Sequence, residues 1–254
     1  MSNSLLNVPA AGLTTAQAYL NAIGNEAANA DTPGFGASLP VVDAAAPYQG
    51  RATTAAIEGV PAPGLLALDA GSVVASTPTG WTGTPTPTNT PTNLAINGAG
   101  FFVVQTPSGG IAYTRAGAFT PDANGQLVLP NGSRLTPPVT IPPGATWSIG
   151  SDGQVTVNAI VQAPIQLATF ANPGALLNLG DNLWAPSADS GAAQLGTPGS
   201  AGVGTLVSGA VNGSGVSLSQ AFSDLIAAQS AYEANATALK VGQQALQSLT
   251  SQPL

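Results

Sequence analysis

The stretch Leu218-Ser-Gln-Ala-Phe-Ser-Asp-Leu-Ile-Ala-Ala-Gln-Ser-Ala-Tyr-Glu-Ala-Asn-Ala-Thr-Ala-Leu-Lys-Val-Gly-Gln-Gln-Ala-Leu246 decides how the rest of the chain is read. Leu218, Phe222, Leu225, Gln229, Tyr232, Ala236, Leu239, Gln243 and Leu246 alternate at spacings of four and three. That alternation, sustained over about four heptads, predicts a long helix with one stripe for a partner. Ser217 or Ser219 is the expected N-cap, because a hydroxyl oxygen can accept from a free N–H of the first turn. Gln229 and Gln243 sit on the stripe, where buried polar groups lower stability but fix register. A helix with one apolar stripe gains most of its stability from tertiary packing, so this one needs a partner.

The other end of the chain offers one. Leu6, Leu13, Leu20 and Ala27 recur every seven residues, and Ala16, Ile23 and Ala30 form a second row displaced by three. A helix over about Leu5 to Ala30 follows, with Thr14 or Thr15 as its expected cap and Asp31-Thr32-Pro33-Gly34 as its stop. Ile226 and Leu249 lie beside the main C-terminal stripe and are left over once the two helices pair.

Between the helices the pattern changes to β structure. Asn97-Gly98, Asn124-Gly125, Asn131-Gly132 and Asp152-Gly153 are hairpin signals, since these residue types accept positive φ. Short apolar runs lie among them: Phe101 to Gln105, Gln126 to Leu129, Trp147 to Ile149, Val155 to Val157 and Ile165 to Phe170. Thr77 to Thr92, dominated by Thr and Pro, and Ser187 to Thr205, rich in Gly, Ala and Ser, read as linkers. The predicted class is α+β, with N- and C-terminal helices paired as a coiled-coil hairpin and a central all-β domain. Residues 1–36 with 206–254 form the terminal helical domain, 37–92 a variable extended region, 93–186 the β domain and 187–205 a linker. The helix seam and assembly residues are Leu13, Leu20, Ile23, Leu218, Phe222, Leu225, Tyr232, Leu239 and Leu246.

Composition removes most chemistry. The 254 residues include no Cys and no His. That excludes Cys-His and Ser-His-Asp nucleophiles, His general bases and the common zinc sites. Four Lys and Arg against eleven Asp and Glu give a net charge of −7, and charged residues make up only 6%, against about 25% in ordinary domains. Four scattered cations are too few to neutralise a phosphate backbone, so no nucleic acid is expected as partner. No small-molecule substrate, cofactor or catalytic metal is expected either. No apolar run is long enough to span a bilayer. Met1-Ser-Asn-Ser-Leu-Leu lacks the basic and apolar regions of a secretory signal, so if the protein leaves the cytoplasm a route without a cleaved signal is expected.

The remaining candidates divide between sharp and plain readings. Arg115 either makes a specific salt bridge, bracing domains or joining chains, or is an exposed strand residue. Tyr232 is read as core packing and Glu233 as a solvated face rather than as a functional contact. Asp122, Asp152 and Asp181 could pair as in a glycosidase, but each stands beside Asn or Gly in a turn signal, which favours turn chemistry. Gly98-Ala-Gly-Phe-Phe-Val lacks the third glycine and following helix of a dinucleotide fingerprint.

Four motifs, in order, carry a resemblance. Ile23-Gly-Asn-Glu-Ala-Ala-Asn-Ala-Asp-Thr-Pro-Gly-Phe35 resembles the signature closing the N-terminal helix of bacterial flagellar rod and hook proteins. Leu94-Ala-Ile-Asn-Gly-Ala-Gly-Phe-Phe-Val-Val104 resembles that family's central strand motif. Tyr113-Thr-Arg-Ala-Gly-Ala-Phe119 with Asp122-Ala-Asn-Gly-Gln-Leu-Val128 resembles the hairpin after it, and Gln229-Ser-Ala-Tyr-Glu-Ala-Asn-Ala236 the C-terminal helix motif. Ile141-Pro-Pro-Gly-Ala, Ile149-Gly-Ser-Asp-Gly-Gln-Val155, Leu167-Ala-Thr-Phe-Ala-Asn-Pro-Gly174 and Leu179-Gly-Asp-Asn-Leu183 are most similar to the distal-rod branch. Departures are the Asn25-Glu26-Ala27 segment, Gly36 after Phe35, and Asn212-Gly-Ser-Gly-Val-Ser-Leu218, which lacks the usual Asn-Val-Asp or Asn-Val-Asn core.

The resemblance implies a structural subunit of the flagellar basal body. It would assemble with copies of itself into a torque-transmitting helical tube, next to other rod proteins, the hook protein and surrounding ring proteins. It also implies location in the periplasm-spanning rod and export through the flagellar type III apparatus. A proximal rod or hook subunit is the alternative within the family. A secreted β-rich adhesin or polysaccharide-binding protein is the alternative from another class.

Overall fold

The computed structural model describes residues 4–44, 66–68, 72–80 and 83–250. The chain divides into two compact units, one of residues 1–28, 38–77 and 217–254, the other of 29–37 and 78–216.

The first unit holds two long helices, α1 (Ser4–Ala28) and α2 (Leu218–Thr250), which pack against each other. Helix α1 starts ten residues before the predicted cap. Thr14 lies inside it and donates its hydroxyl to the Ala10 carbonyl at 3.0 Å, a back-bond that mid-helix Ser and Thr commonly make. Pro9 is tolerated in the second turn, although it brings no N–H for the Leu5 carbonyl. The predicted stop holds: α1 ends at Ala28, Thr32 N–H donates to the Asn29 carbonyl at 3.1 Å, and Gly34 has φ +68°. At the start of α2, Ala221 N–H reaches the Ser217 carbonyl at 2.9 Å, and Gln220 N–H points to the Ser217 hydroxyl at 3.5 Å. Ser217 is therefore the cap. Strands Ala37–Ala44, Leu66–Leu68 and Ser72–Gly80 form a three-stranded sheet with Ser72–Gly80 in the middle.

The second unit is almost wholly β. Strand Phe101–Gln105 lies near the middle of a nine-stranded sheet, antiparallel to Ile111–Thr114 on one side and to Arg134–Leu135 and Leu167–Thr169 on the other. Its run of apolar residues serves two faces, because successive side chains alternate. Phe102 and Val104 enter the larger core with Leu94, Ile96, Phe119, Leu127, Leu135 and Ile165. Phe101 and Val103 join a smaller cluster with Tyr113, Phe170, Leu176 and Trp184 on the opposite face. Phe102 meets Phe119 edge-on at 5.3 Å, and Phe170 meets Phe101 at 5.8 Å and Tyr113 at 4.9 Å, the T-shaped arrangement that aromatic quadrupoles favour.

The hairpin signals are turns, but only their glycines take positive φ. In Asp122–Gly125 the Gly125 N–H closes on the Asp122 carbonyl at 2.9 Å, while Asp122 Oδ1 accepts from Asn124 and Gln126 N–H at 2.8 Å each. Asp152 Oδ1 accepts from Gln154 N–H at 3.1 Å. Both carboxylates are thus engaged in turn chemistry.

The two stretches expected as linkers carry strands. Pro85–Pro87 pairs with Ala210–Asn212, and Gln194–Gly196 pairs with Leu167–Thr169. Thr205–Ser208 pairs with Leu94–Asn97 across four residues. The β unit therefore extends to Val216, beyond the expected boundary at 186, because main-chain pairing organises segments too poor in apolar side chains to announce themselves.

Candidate assembly surface

Helix α2 is two-faced, and the division runs differently from the stripe read in sequence. Its most buried side chains are Ala221 and Ala228, with Leu225, Asn235, Leu239 and Gly242 half-buried. These positions again alternate at four and three, but small residues dominate. One turn round the helix, Leu218 is 43% exposed, Phe222 57% and Ile226 65%. Their i, i+4, i+8 spacing places them in one row. Tyr232 (38%) and Val241 also remain exposed.

On α1, Ala16 and Ile23 are buried, and Leu13 and Leu20 are half-buried. The helices run antiparallel: Gly12 lies against Asn235, while Tyr19 feels the charge of Asp224. A Cβ on Gly12 would stand 2.6 to 2.8 Å from the Asn235 amide atoms, so any larger residue there requires the Asn235 side chain to shift. Of the nine seam residues read from sequence, Ile23 is buried and Leu13, Leu20, Leu225 and Leu239 are half-buried. Leu218, Phe222 and Tyr232 are exposed, and the Leu246 side chain, like those of Leu6 and Leu249, lies outside the described residues. Ala221, Ala228, Gly12 and Asn235 carry no stripe signal in the sequence, because small and polar side chains add little to hydrophobic periodicity.

The arrangement has a direct energetic consequence. Covering a large apolar side chain is worth about 1.5–3 kcal/mol, and the row Leu218, Phe222, Ile226 offers three of them to a partner. Few charges oppose such contact, since Asp224 and Glu233 are the only acidic residues and Lys240 the only basic one on α2.

In the β unit, Arg115 is a brace. It is 6% exposed and donates Nε–H to the Gly100 carbonyl at 3.0 Å and an Nη2 hydrogen to the Gly98 carbonyl. Its guanidinium carbon stands 5.6 Å from the centre of the Phe101 ring, within cation–π range. Burial pushes its pKa down to about 10, which still leaves it charged at neutral pH. The exposed-strand reading of Arg115 is thereby replaced. Tyr113 is shifted up by burial, and the phenol of Tyr19 is raised by burial first and by Asp224 and Glu26 next.

Among the described residues, no group of three or more metal-ligating side chains converges. No helix there is long and apolar enough to cross a membrane.

Comparison with known proteins agrees with this geometry. Residues 95–157 match the family described as "Flagellar hook protein FlgE/F/G D1 domain", and residues 207–252 match "Flagellar basal body rod FlgEFG protein C-terminal". The two matches fall on the central β structure and on α2. The chain is 36% identical over 248 residues to the flagellar basal-body rod protein FlgG of Buchnera aphidicola subsp. Schizaphis graminum, covering 94% of this chain and 95% of that one. It is 36% identical over 262 residues to FlgG of Caulobacter vibrioides, covering 97% and 98%. Similarity to the flagellar hook protein FlgE of Salmonella typhimurium reaches 40% identity but covers 42% of this chain and 28% of that one. With β core, terminal helices and near full-length identity in agreement, the chain belongs to the FlgG family of flagellar basal-body rod proteins.

Proposed function

We propose that this chain is a structural, non-enzymatic subunit of the bacterial flagellar distal rod. Copies of it assemble with one another, and the assembly meets other rod proteins and the hook protein. The carrying observation is the exposed apolar row Leu218, Phe222, Ile226 on a helix that already packs another of its faces against α1. A heterologous contact repeated with a rotation and rise that do not close builds a helical tube. In that tube α1 and α2 act as a coiled-coil hairpin, with Leu13, Leu20, Ile23, Leu225 and Leu239 in the seam and Leu218, Phe222 and Tyr232 against neighbouring copies. Leu246 belongs to the same seam by its heptad position. Ring proteins around the rod are further partners, and function is shape and stiffness that carry torque.

The rod spans the periplasm in this reading, and the chain reaches it unfolded through the flagellar type III apparatus. Low charge suits a subunit enclosed by copies of itself, since an unpaired buried charge costs several kcal/mol, about 3–5 when one partner of a pair is removed. The hook alternative has a weaker basis, because the hook-protein similarity covers under half of the chain. The adhesin alternative gives no account of helices at both ends.

Labelling this protein in purified basal bodies and imaging them by electron microscopy tests the assignment. Label on the rod segment just below the hook is the expected result. Label along the hook, or beside the inner membrane, would overturn it.

A further inference from the structure

The β unit takes in two pieces of chain, 29–37 and 78–216. Segments close to their ends converge on one residue, Asn212, which is 1% exposed. Gly34 N–H donates to the Asn212 carbonyl at 2.8 Å, and Gly215 N–H to the Phe35 carbonyl at 2.9 Å. These two bonds tie the N-terminal segment to the chain just before α2. Asn212 Nδ2 donates to the Gly83 carbonyl at 2.9 Å, and Gly213 N–H donates to the Thr84 carbonyl at 3.0 Å. The N-terminal segment is thus held by the Asn212 main-chain carbonyl, and the carboxamide anchors the Gly83 segment and its own strand to the core. Its Oδ1 accepts from Ile96 N–H at 2.8 Å, and its Nδ2 donates to the Ile96 carbonyl at 2.8 Å.

The Asn212 carboxamide thus does for Ile96 what a neighbouring strand residue would do, accepting from its N–H and donating to its C=O. Only a side chain with a carbonyl and an NH2 on one planar group meets that pattern together with the extra bond to Gly83. Leucine would strand three buried backbone groups, and an ionised aspartate would face two carbonyl oxygens. The segments approach closely enough to exclude side chains. A Cβ on Gly34 would strike the Arg115 carbonyl, and one on Gly83 the Gly213 carbonyl.

We propose that Asn212 is a positioning residue. It is a buried clamp that fixes the chain segments entering and leaving the β unit, so that load arriving along them reaches the core through hydrogen bonds rather than flexible joints. This rests on the reading of the chain as a load-bearing rod subunit. Thr32-Pro-Gly-Phe35, which looked in sequence like a helix stop alone, is one arm of the clamp.

The test uses the full chain with N212A and N212D, read by amide hydrogen exchange on the purified protein and by swimming speed in media of rising viscosity. The wild-type chain must first restore swimming to a strain lacking its own distal-rod gene. Failure there sinks the rod assignment alone, because the exchange measurement stands apart from it. For N212A the Ile96 and Gly34 amides should exchange at least tenfold faster while Val103 and Val104 stay protected. Complemented cells should slow more steeply with viscosity than wild type.

N212D should behave like N212A at pH 7. It should regain protection in acid, where the protonated carboxyl again donates a hydrogen. If N212A fails to fold, the acid recovery of N212D decides, and its absence overturns the proposal. Unchanged Ile96 and Gly34 exchange in a folded N212A, or wild-type swimming of N212A under load, would equally overturn it.

Discussion

The β unit and helix α2 handle apolar residues in opposite ways. In the β unit Phe102, Phe119, Leu94 and Leu167 are fully buried within the same chain, in a core that packs on one face of a strand, Phe101–Gln105, covered on both faces. On α2 the large side chains Phe222 and Ile226 stay exposed, while alanines line the buried side. One region completes its core alone, and the other leaves large apolar side chains exposed, which the proposed assembly would cover. A monomer with both properties folds one part in advance and defers burial of the other to assembly, as a disorder-to-order element does.

Substitutions that separate the two regions are the way to break that contrast. F102A removes a fully buried ring from the larger core and should destabilise the β unit by about 3–5 kcal/mol, read as a fall in the denaturant midpoint of the purified chain. G12L drives a side chain into Asn235 and should cost the helix pair about 1–3 kcal/mol. Helix melting followed by circular dichroism checks this, with no change in the unfolding of the β unit. R115M keeps volume but leaves the Gly98 and Gly100 carbonyls without their donor, a loss of about 1–3 kcal/mol confined to the β unit and visible in its thermal midpoint.

A smaller effect should appear in alkali. Burial raises the Tyr113 phenol above its ordinary value of 10.0, so the folded chain holds that proton more tightly than the unfolded one. Its contribution to stability is complete below pH 10 and lost as pH rises through the raised value. Y113F should therefore lose less stability than wild type above pH 10, as titrated unfolding midpoints would record. At the far end stands F222E, which touches only exposed surface. It should move monomer stability by under about 0.5 kcal/mol and yet abolish assembly. L225D or L239D should also block assembly with the β fold retained, as β-unit unfolding beside electron microscopy of basal bodies would show.

The contrast also explains what was legible in the sequence. Phe101 to Gln105 was readable as a strand because a continuous apolar run flanked by turn residues has few other uses. The length of α2, its cap at Ser217 and the stop at Pro33 were readable from local chemistry. The phase of the α2 stripe was only half readable, since the inner row of Ala221, Ala228, Asn235 and Gly242 is set by how closely α1 approaches, not by hydrophobicity. The strands in 187–205 were hidden by their Gly and Ser content, because their partners lie far along the chain. Asn212 was invisible as a hub for the same reason: its hydrogen bonds to Gly83 and Ile96 span more than 110 residues.

The most direct test of the central claim exploits the absence of cysteine from the chain. F222C places one thiol on the exposed row, and its alkylation by a maleimide is timed in the purified monomer and in intact basal bodies isolated from swimming cells. The account predicts at least tenfold slower labelling in the basal body, because the row is covered by a neighbouring copy. Equal labelling rates in the two states would contradict it.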